Sequence, residues 1–127
     1  MIKQEITIKA SCAEVYQLLT RSELFCTMTG GAPANIGIAA GDEFYCFGKM
    51  IHGRNIELIE NEMIVQAWRA KPWPKGHYSI VTFTLQAQAA QTKLTLLHTG
   101  FADEQKAHLA QGWHDNYWTP MQQYFNS

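Results

Sequence analysis

Between Gly41 and Thr99 the apolar residues recur at every second position, and turn-forming residues break the pattern at short intervals. Side chains two apart share one face of a strand, so this run reads as five strands, at 42–47, 51–59, 63–70, 78–87 and 92–99. Gly48, the Glu60-Asn61-Glu62 triplet, the Pro72/Pro74/Gly76 segment and residues 88–91 separate them. Connections this short favour antiparallel neighbours. A meander of that length must bury one face, and the element that covers it decides the fold.

The flanks supply the cover. Residues 2–9 alternate around Ile6 and Ile8 and read as a first strand. Ser11 is a good N-cap with Glu14 three residues on, the spacing of a capping box, and Val15, Leu18 and Leu19 follow as one apolar stripe. A second short helix starts at Thr20 or Ser22, runs through Leu24 and Phe25 and ends near Gly30-Gly31. Residues 32–40 read as a loop with a short strand around 35–38. Near the C-terminus, Asp103 or Glu104 opens a helix in which Trp113, Tyr117, Met121 and Tyr124 recur at i, i+4, i+8 and i+11. Gly112 is a candidate break in it, and Pro120, lacking a backbone donor, predicts a bend or a wide turn. Only this last helix is long and apolar enough to cover the sheet. The expected architecture is α+β in two layers: a curved antiparallel sheet of about six strands wrapped around a long C-terminal helix, with two short helices after the first strand. No repeat or linker interrupts the pattern, so residues 1–127 read as a single domain.

Composition removes several classes of function. With 46% apolar and 17% charged residues, the chain is not disordered. A net charge of −1 argues against an electrostatic nucleic-acid binder. Cys12, Cys26 and Cys46 are odd in number and show no CxxC spacing, which points to free thiols in a reducing compartment. The N-terminal segment is too polar for a signal peptide, and no apolar run approaches the ~20 residues of a spanning helix. A cytoplasmic protein with no membrane partner is expected. The five histidines (52, 77, 98, 108 and 114) form neither HxH nor HExxH, and no glycine-rich phosphate loop or GxSxG elbow occurs. Neither a metal nor a cofactor is expected.

The stretches GDEFYCFGKMIHGRNIELIENEMIVQAWR (41–69), YSIVTFTL (78–85), TKLTLLHTG (92–100) and GWHDNYWTPMQQYF (112–125) together resemble the activator of heat-shock protein 90 ATPase homologue-like family. That family lies within the START / Bet v 1 (helix-grip) superfamily, and the resemblance spans nearly the whole chain. It implies a curved sheet gripping the C-terminal helix with a hydrophobic cavity between them. It does not imply one activity, because the superfamily includes lipid carriers, hormone receptors, polyketide cyclases and chaperone activators.

Candidate site residues follow from strand and helix faces. Val81, Phe83 and Leu85, with Leu94, Leu96 and His98, form two apolar strand faces directed at the helix. Each is either plain core or the wall of a cavity; on the second reading Val81, Phe83, Leu96 and His98 contact a ligand, with His98 as the polar group that orients it. Trp113, Tyr117 and Met121 face them from the helix, whereas His114 and Trp118 fall off that stripe. Phe25 and Met28 belong at the mouth. Phe44 and Cys46 share one face of their strand and Tyr45 and Phe47 the other, and alternation does not say which is inward. Trp68 ends a strand as a further wall residue. Arg69 is a solvated charge or the partner of a ligand acid. Trp73, between two prolines, reads as exposed, either a lid or interaction patch or a residue packed locally. Glu57 with His98 would make an acid/base pair of the kind cyclase chemistry needs, although strand parity does not bring them together. The leading expectation is a domain that binds a small hydrophobic ligand. The alternatives are a chaperone ATPase activator-like interaction module and a cyclase/hydratase-type enzyme in the same cavity. A homodimer and a chaperone are the protein partners to weigh.

Overall fold

The computed structural model describes residues 1–126. Seven strands form one antiparallel sheet in the order β1-β7-β6-β5-β4-β3-β2. The first strand, β1 (Ile2–Ile8), is followed by helices α1 (Cys12–Thr20) and α2 (Ser22–Met28). Ser11 caps α1 as a complete capping box: its Oγ accepts from the Glu14 amide and its own amide donates to Glu14 Oε1, each at 3.1 Å. Gly30 and Gly31, with φ of 85° and 96°, take the left-handed backbone that ends α2. The chain then returns through the two-residue β2 (Asn35–Ile36), whose Ile36 amide donates to Ser22 Oγ at 2.8 Å.

The meander comprises β3 (Glu43–Cys46), β4 (Ile51–Ile59), β5 (Met63–Ala70), β6 (Ser79–Gln88) and β7 (Gln91–Thr99), and β7 carries β1 on its far side. The period-two faces resolve as alternation requires. Phe44, Cys46, Ile64, Trp68, Val81, Phe83, Leu85, Leu94 and Leu96 are all buried on the inner face. Phe44 and Cys46 are thus the inward pair of β3. In β4 a bulge falls between Asn55 and Glu57. Buried Asn55 staples it: its Nδ2 donates to the Gly37 carbonyl at 2.7 Å and its Oδ1 accepts from Gln66 at 3.2 Å. Beyond the bulge Glu57 points to solvent, with β5 and β6 lying between its strand and β7, so the structure does not bring it to His98.

The C-terminal helix covers the inner face in three windings: α3 (Lys106–Trp113), a π turn (His114–Trp118) and α4 (Thr119–Asn126). The irregularity sits two residues beyond Gly112. Its physical cause is Pro120, which cannot donate to the Asn116 carbonyl and whose ring pushes that carbonyl away; a widened turn absorbs the defect. The wide turn also corrects the expected stripe. Five residues per hydrogen bond bring both i+4 and i+5 to one side, so Tyr117 and Trp118 are both buried. Trp118 Nε1 donates to Gln4 Oε1 at 2.7 Å, and Gln4 Nε2 donates to the Ala110 carbonyl at 3.1 Å, tying β1 to the helix twice. Among the described residues no helix is long and apolar enough to cross a membrane.

Gly53 is fixed by close approach. A Cβ there would overlap the Ala67 carbonyl oxygen and come within 3.0 Å of the Phe44 ring. We expect Gly53→Ala to destabilise the fold by about 2–3 kcal/mol, the range of an overpacked core. Thermal melting checks this: an unchanged Tm would show that β4 and β5 separate freely at this point.

Candidate functional site

An open cleft of about 440 Å³ lies where the ends of β4 and β5 meet α3. Trp68, Trp73, Trp113, Tyr117 and Phe47 build its aromatic wall, and Gln105, His108 and Asn116 stand among its lining as the polar side chains. The rings are in mutual contact, with centroids 5.5 Å apart for Trp68–Trp113, 4.4 Å for Trp113–Tyr117 and 5.5 Å for Phe47–Tyr117. Phe47 reaches the cleft because its φ of 52° turns the chain out of β3.

Two expectations are corrected here. Trp73 is buried, not exposed. Its amide donates to the Ala70 carbonyl at 3.0 Å, folding the proline-rich segment back so that its indole meets Trp68 at 5.8 Å. Arg69 is the reason the fold-back holds, and it is not a solvated charge: at 8% exposure it donates to the Trp73 carbonyl at 2.6 Å and the Pro74 carbonyl at 3.3 Å.

Beneath the cleft, a chain of hydrogen bonds fixes the protonation of His98. Trp113 Nε1 can only donate, so His98 Nδ1, at 3.1 Å, accepts. Ser79 Oγ gives its one proton to the Trp68 carbonyl at 2.8 Å, so His98 Nε2–H donates to Ser79 Oγ at 2.8 Å. The imidazole is therefore neutral, with the proton on Nε2. Burial, aided by the nearby N-terminal ammonium, lowers its pKa from the usual 6.5 to about 4. Cys46 and Tyr117 are held protonated as well. Burial pushes the Cys46 thiol up to about 12 and the Tyr117 phenol well above its ordinary value, and Sγ lies 3.8 Å from the phenol oxygen. At neutral pH these buried groups are uncharged, His98 paired with Trp113 and Ser79, and Cys46 with Tyr117. Among the described residues no three His, Cys, Asp or Glu side chains are grouped to hold a metal.

All twelve candidate residues are buried, but the structure divides them. Trp68, Trp113 and Tyr117 line the cleft. Phe25, Phe44, Cys46 and Phe83 surround a void of about 10 Å³, at the lower limit for one water. Met28, Val81, Leu96 and Met121 are packed within the continuous apolar core, and His98 is fully buried as a polar residue hydrogen-bonded to Trp113 and Ser79. The cleft also uses Leu109, Gly112 and Asn116, which sequence reasoning passed over. Their i, i+3, i+7 spacing with Trp113 was the available signal, since it marks one helix face.

The His98 assignment has a consequence for stability. As pH falls, the unfolded chain takes up this proton first, near 6.5, while the folded chain resists until about 4. The contribution is full above pH 6.5 and is lost on descending toward 4, about 3 kcal/mol in all. Urea titrations at pH 7 and pH 4.5 should show that loss in the native chain. In His98→Gln, which cannot charge, the loss between the two pH values should be smaller by most of that amount. Equal losses in both proteins would refute the assignment.

Residues 9–126 match the family described as "Activator of Hsp90 ATPase homolog 1-like protein". The human activator of 90 kDa heat shock protein ATPase homolog 1 is 29% identical over 119 residues, 94% of this chain and 35% of that protein. The chain thus spans about a third of the length of this curated relative. An HSP90 activator from Plasmodium falciparum superposes with a TM-score of 0.84 at 22% identity, over 94% of this chain and 92% of that one. An Aha1 dimer from Colwellia psychrerythraea superposes at 0.79 with 18% identity, over 94% and 92%. At these identities the two structures establish the fold, the helix-grip arrangement of curved sheet and C-terminal helix.

Proposed function

We propose a function from one premise: this chain belongs to the activator of Hsp90 ATPase homolog 1-like family, which it matches over residues 9–126. The function is that of a protein-interaction module which docks on an Hsp90-class chaperone and raises its ATPase rate. The family match carries this reading. The geometry supports it, because most of the space between sheet and helix is filled by packed side chains and the buried titratable groups are neutral. On this reading residues 1–127 act as one helix-grip domain. The test is direct: titrate the purified chain into an Hsp90-class chaperone and follow both binding heat and ATP turnover. Saturable binding with a severalfold rise in turnover is expected. Absence of both binding and stimulation would end the reading.

A specific observation favours a second function for the cleft. Trp68 Nε1 is buried and no acceptor meets it in hydrogen-bonding geometry. It lies beside the Tyr117 hydroxyl in an aromatic cleft large enough for a small molecule. An amphipathic aromatic ligand with one acceptor oxygen would complete that site. At about 100 times its Kd such a ligand adds roughly 2.7 kcal/mol, several degrees in Tm. A thermal-shift screen of flavonoids, sterols and fatty acids should yield a shift that Trp68→Phe abolishes. If nothing in the screen shifts the native chain, the cleft is not a ligand site.

A further inference from the structure

On the outer face of the sheet, opposite the C-terminal helix, strands β3 to β5 and the start of β6 enclose a groove of about 710 Å³. Its charge is one-sided. Lys49, Arg54 and Lys71 line it, and Arg69 adjoins it: its strand partner is the lining residue His52, and its guanidinium carbon is 5.7 Å from the ring of the lining residue Tyr78. Glu43 is the one carboxylate of the lining, and Arg54 engages it at 2.9 Å. Four of the ten Lys and Arg residues of a chain with net charge −1 thus gather at one end of one sheet face. Two tyrosines sit among them. Lys49 Nζ lies 5.3 Å from the Tyr45 ring, and Tyr78 is half-exposed beside an exposed Ile80.

Arg69 supplies the independent observation. Its side chain is more than nine-tenths buried, its Nε has no hydrogen-bond partner, and among the described residues no carboxylate pairs with it. A buried cation held by two carbonyl oxygens and one tyrosine ring, with no carboxylate, lacks a compensating charge, and an incoming anion supplies it. His52, the cross-strand partner of Arg69, lines the groove. Burial and the Arg69 charge both lower its pKa, which shows the positive field extending into the groove.

We propose that this outer groove is a docking surface for an extended, carboxylate-rich segment of a partner protein. Charge complementarity identifies the occupant. Side-chain carboxylates would meet Lys49, Lys71 and the side of His52 next to the Arg69 charge, and an apolar residue of the segment would lie on Tyr78 and Ile80. The lining residues come mainly from β3, β4, β5 and the turns beside them, and the groove's cations are spread over three of these segments, which suits a chain segment with several carboxylates better than a compact anion. This surface is on the opposite side of the sheet from the cleft, and its use does not depend on the chaperone being the partner.

The test uses the full chain and a fluorescein-labelled peptide of eight glutamates and one tryptophan, read by anisotropy. Saturable binding that weakens as salt rises is expected. The double reversal Lys49→Glu/Lys71→Glu should weaken it at least tenfold, with a melting curve showing that the variant is folded. The matched reversal Lys3→Glu/Lys106→Glu, at exposed lysines away from the groove, should change it less than threefold. No binding, or equal weakening by both reversals, overturns the proposal. Inorganic phosphate or a duplex oligonucleotide competing as well as unlabelled peptide would also overturn it, by making the groove a general anion site.

Discussion

The Trp113 indole, donating to His98 and stacked among Trp68, Tyr117 and Trp118, is the contact on which the two layers depend. It is buried on the helix, and His98 is buried on β7, the strand next to the β1 edge, so one hydrogen bond joins the layers where water cannot compete. The bond continues through Ser79 to the Trp68 carbonyl on β5. Helix, β7, β6 and β5 are thereby locked in register by a single polar thread through an apolar core. Each donor and acceptor on it has one consistent direction, which is why the histidine is neutral and why its protonation works against the fold.

That thread also shapes the cleft. Trp68 and Trp113 are held from below, so their upper faces are presented in fixed orientation to the opening. Arg69 then holds the proline segment over them through the Trp73 and Pro74 carbonyls. One arginine therefore serves two sides of the sheet. Its outer nitrogens close the cleft's wall, while its charge adjoins the outer groove. The two faces differ in chemistry: the inner one is lined by buried aromatic and aliphatic side chains, and the outer groove by Lys49, Arg54 and Lys71.

Local signals in the chain translated directly into elements. The Ser11–Glu14 pair is a capping box because its bonds span only three residues and need no tertiary partner. The 51–59 and 63–70 strands match β4 and β5 because Glu60-Asn61-Glu62 supplies a turn between two alternating runs. Faces were harder. The position of Trp118 depended on a π turn that no helical wheel contains, and Phe44 could be placed inward only once β4 and β5 lay beside it. Trp73 and Arg69 were misjudged together, since each is buried only through the other. The candidate residues were legible as a buried set, but not their division between core and cleft.

The sequence by itself determined the alternation of the strands, the caps and turns between them, the apolar helix that covers them and, through four ordered motifs, the family. These follow from contacts within a few residues, or from a pattern spread along the whole chain. The tertiary structure alone decided how much of the space between helix and sheet is filled, which aromatic rings border the opening, the proton on His98, and the gathering of Lys49, Arg54, Arg69 and Lys71 around one groove. Packing density and electric field depend on distances between residues far apart in the chain. Those distances exist only once the sheet has curled and the helix has closed on it.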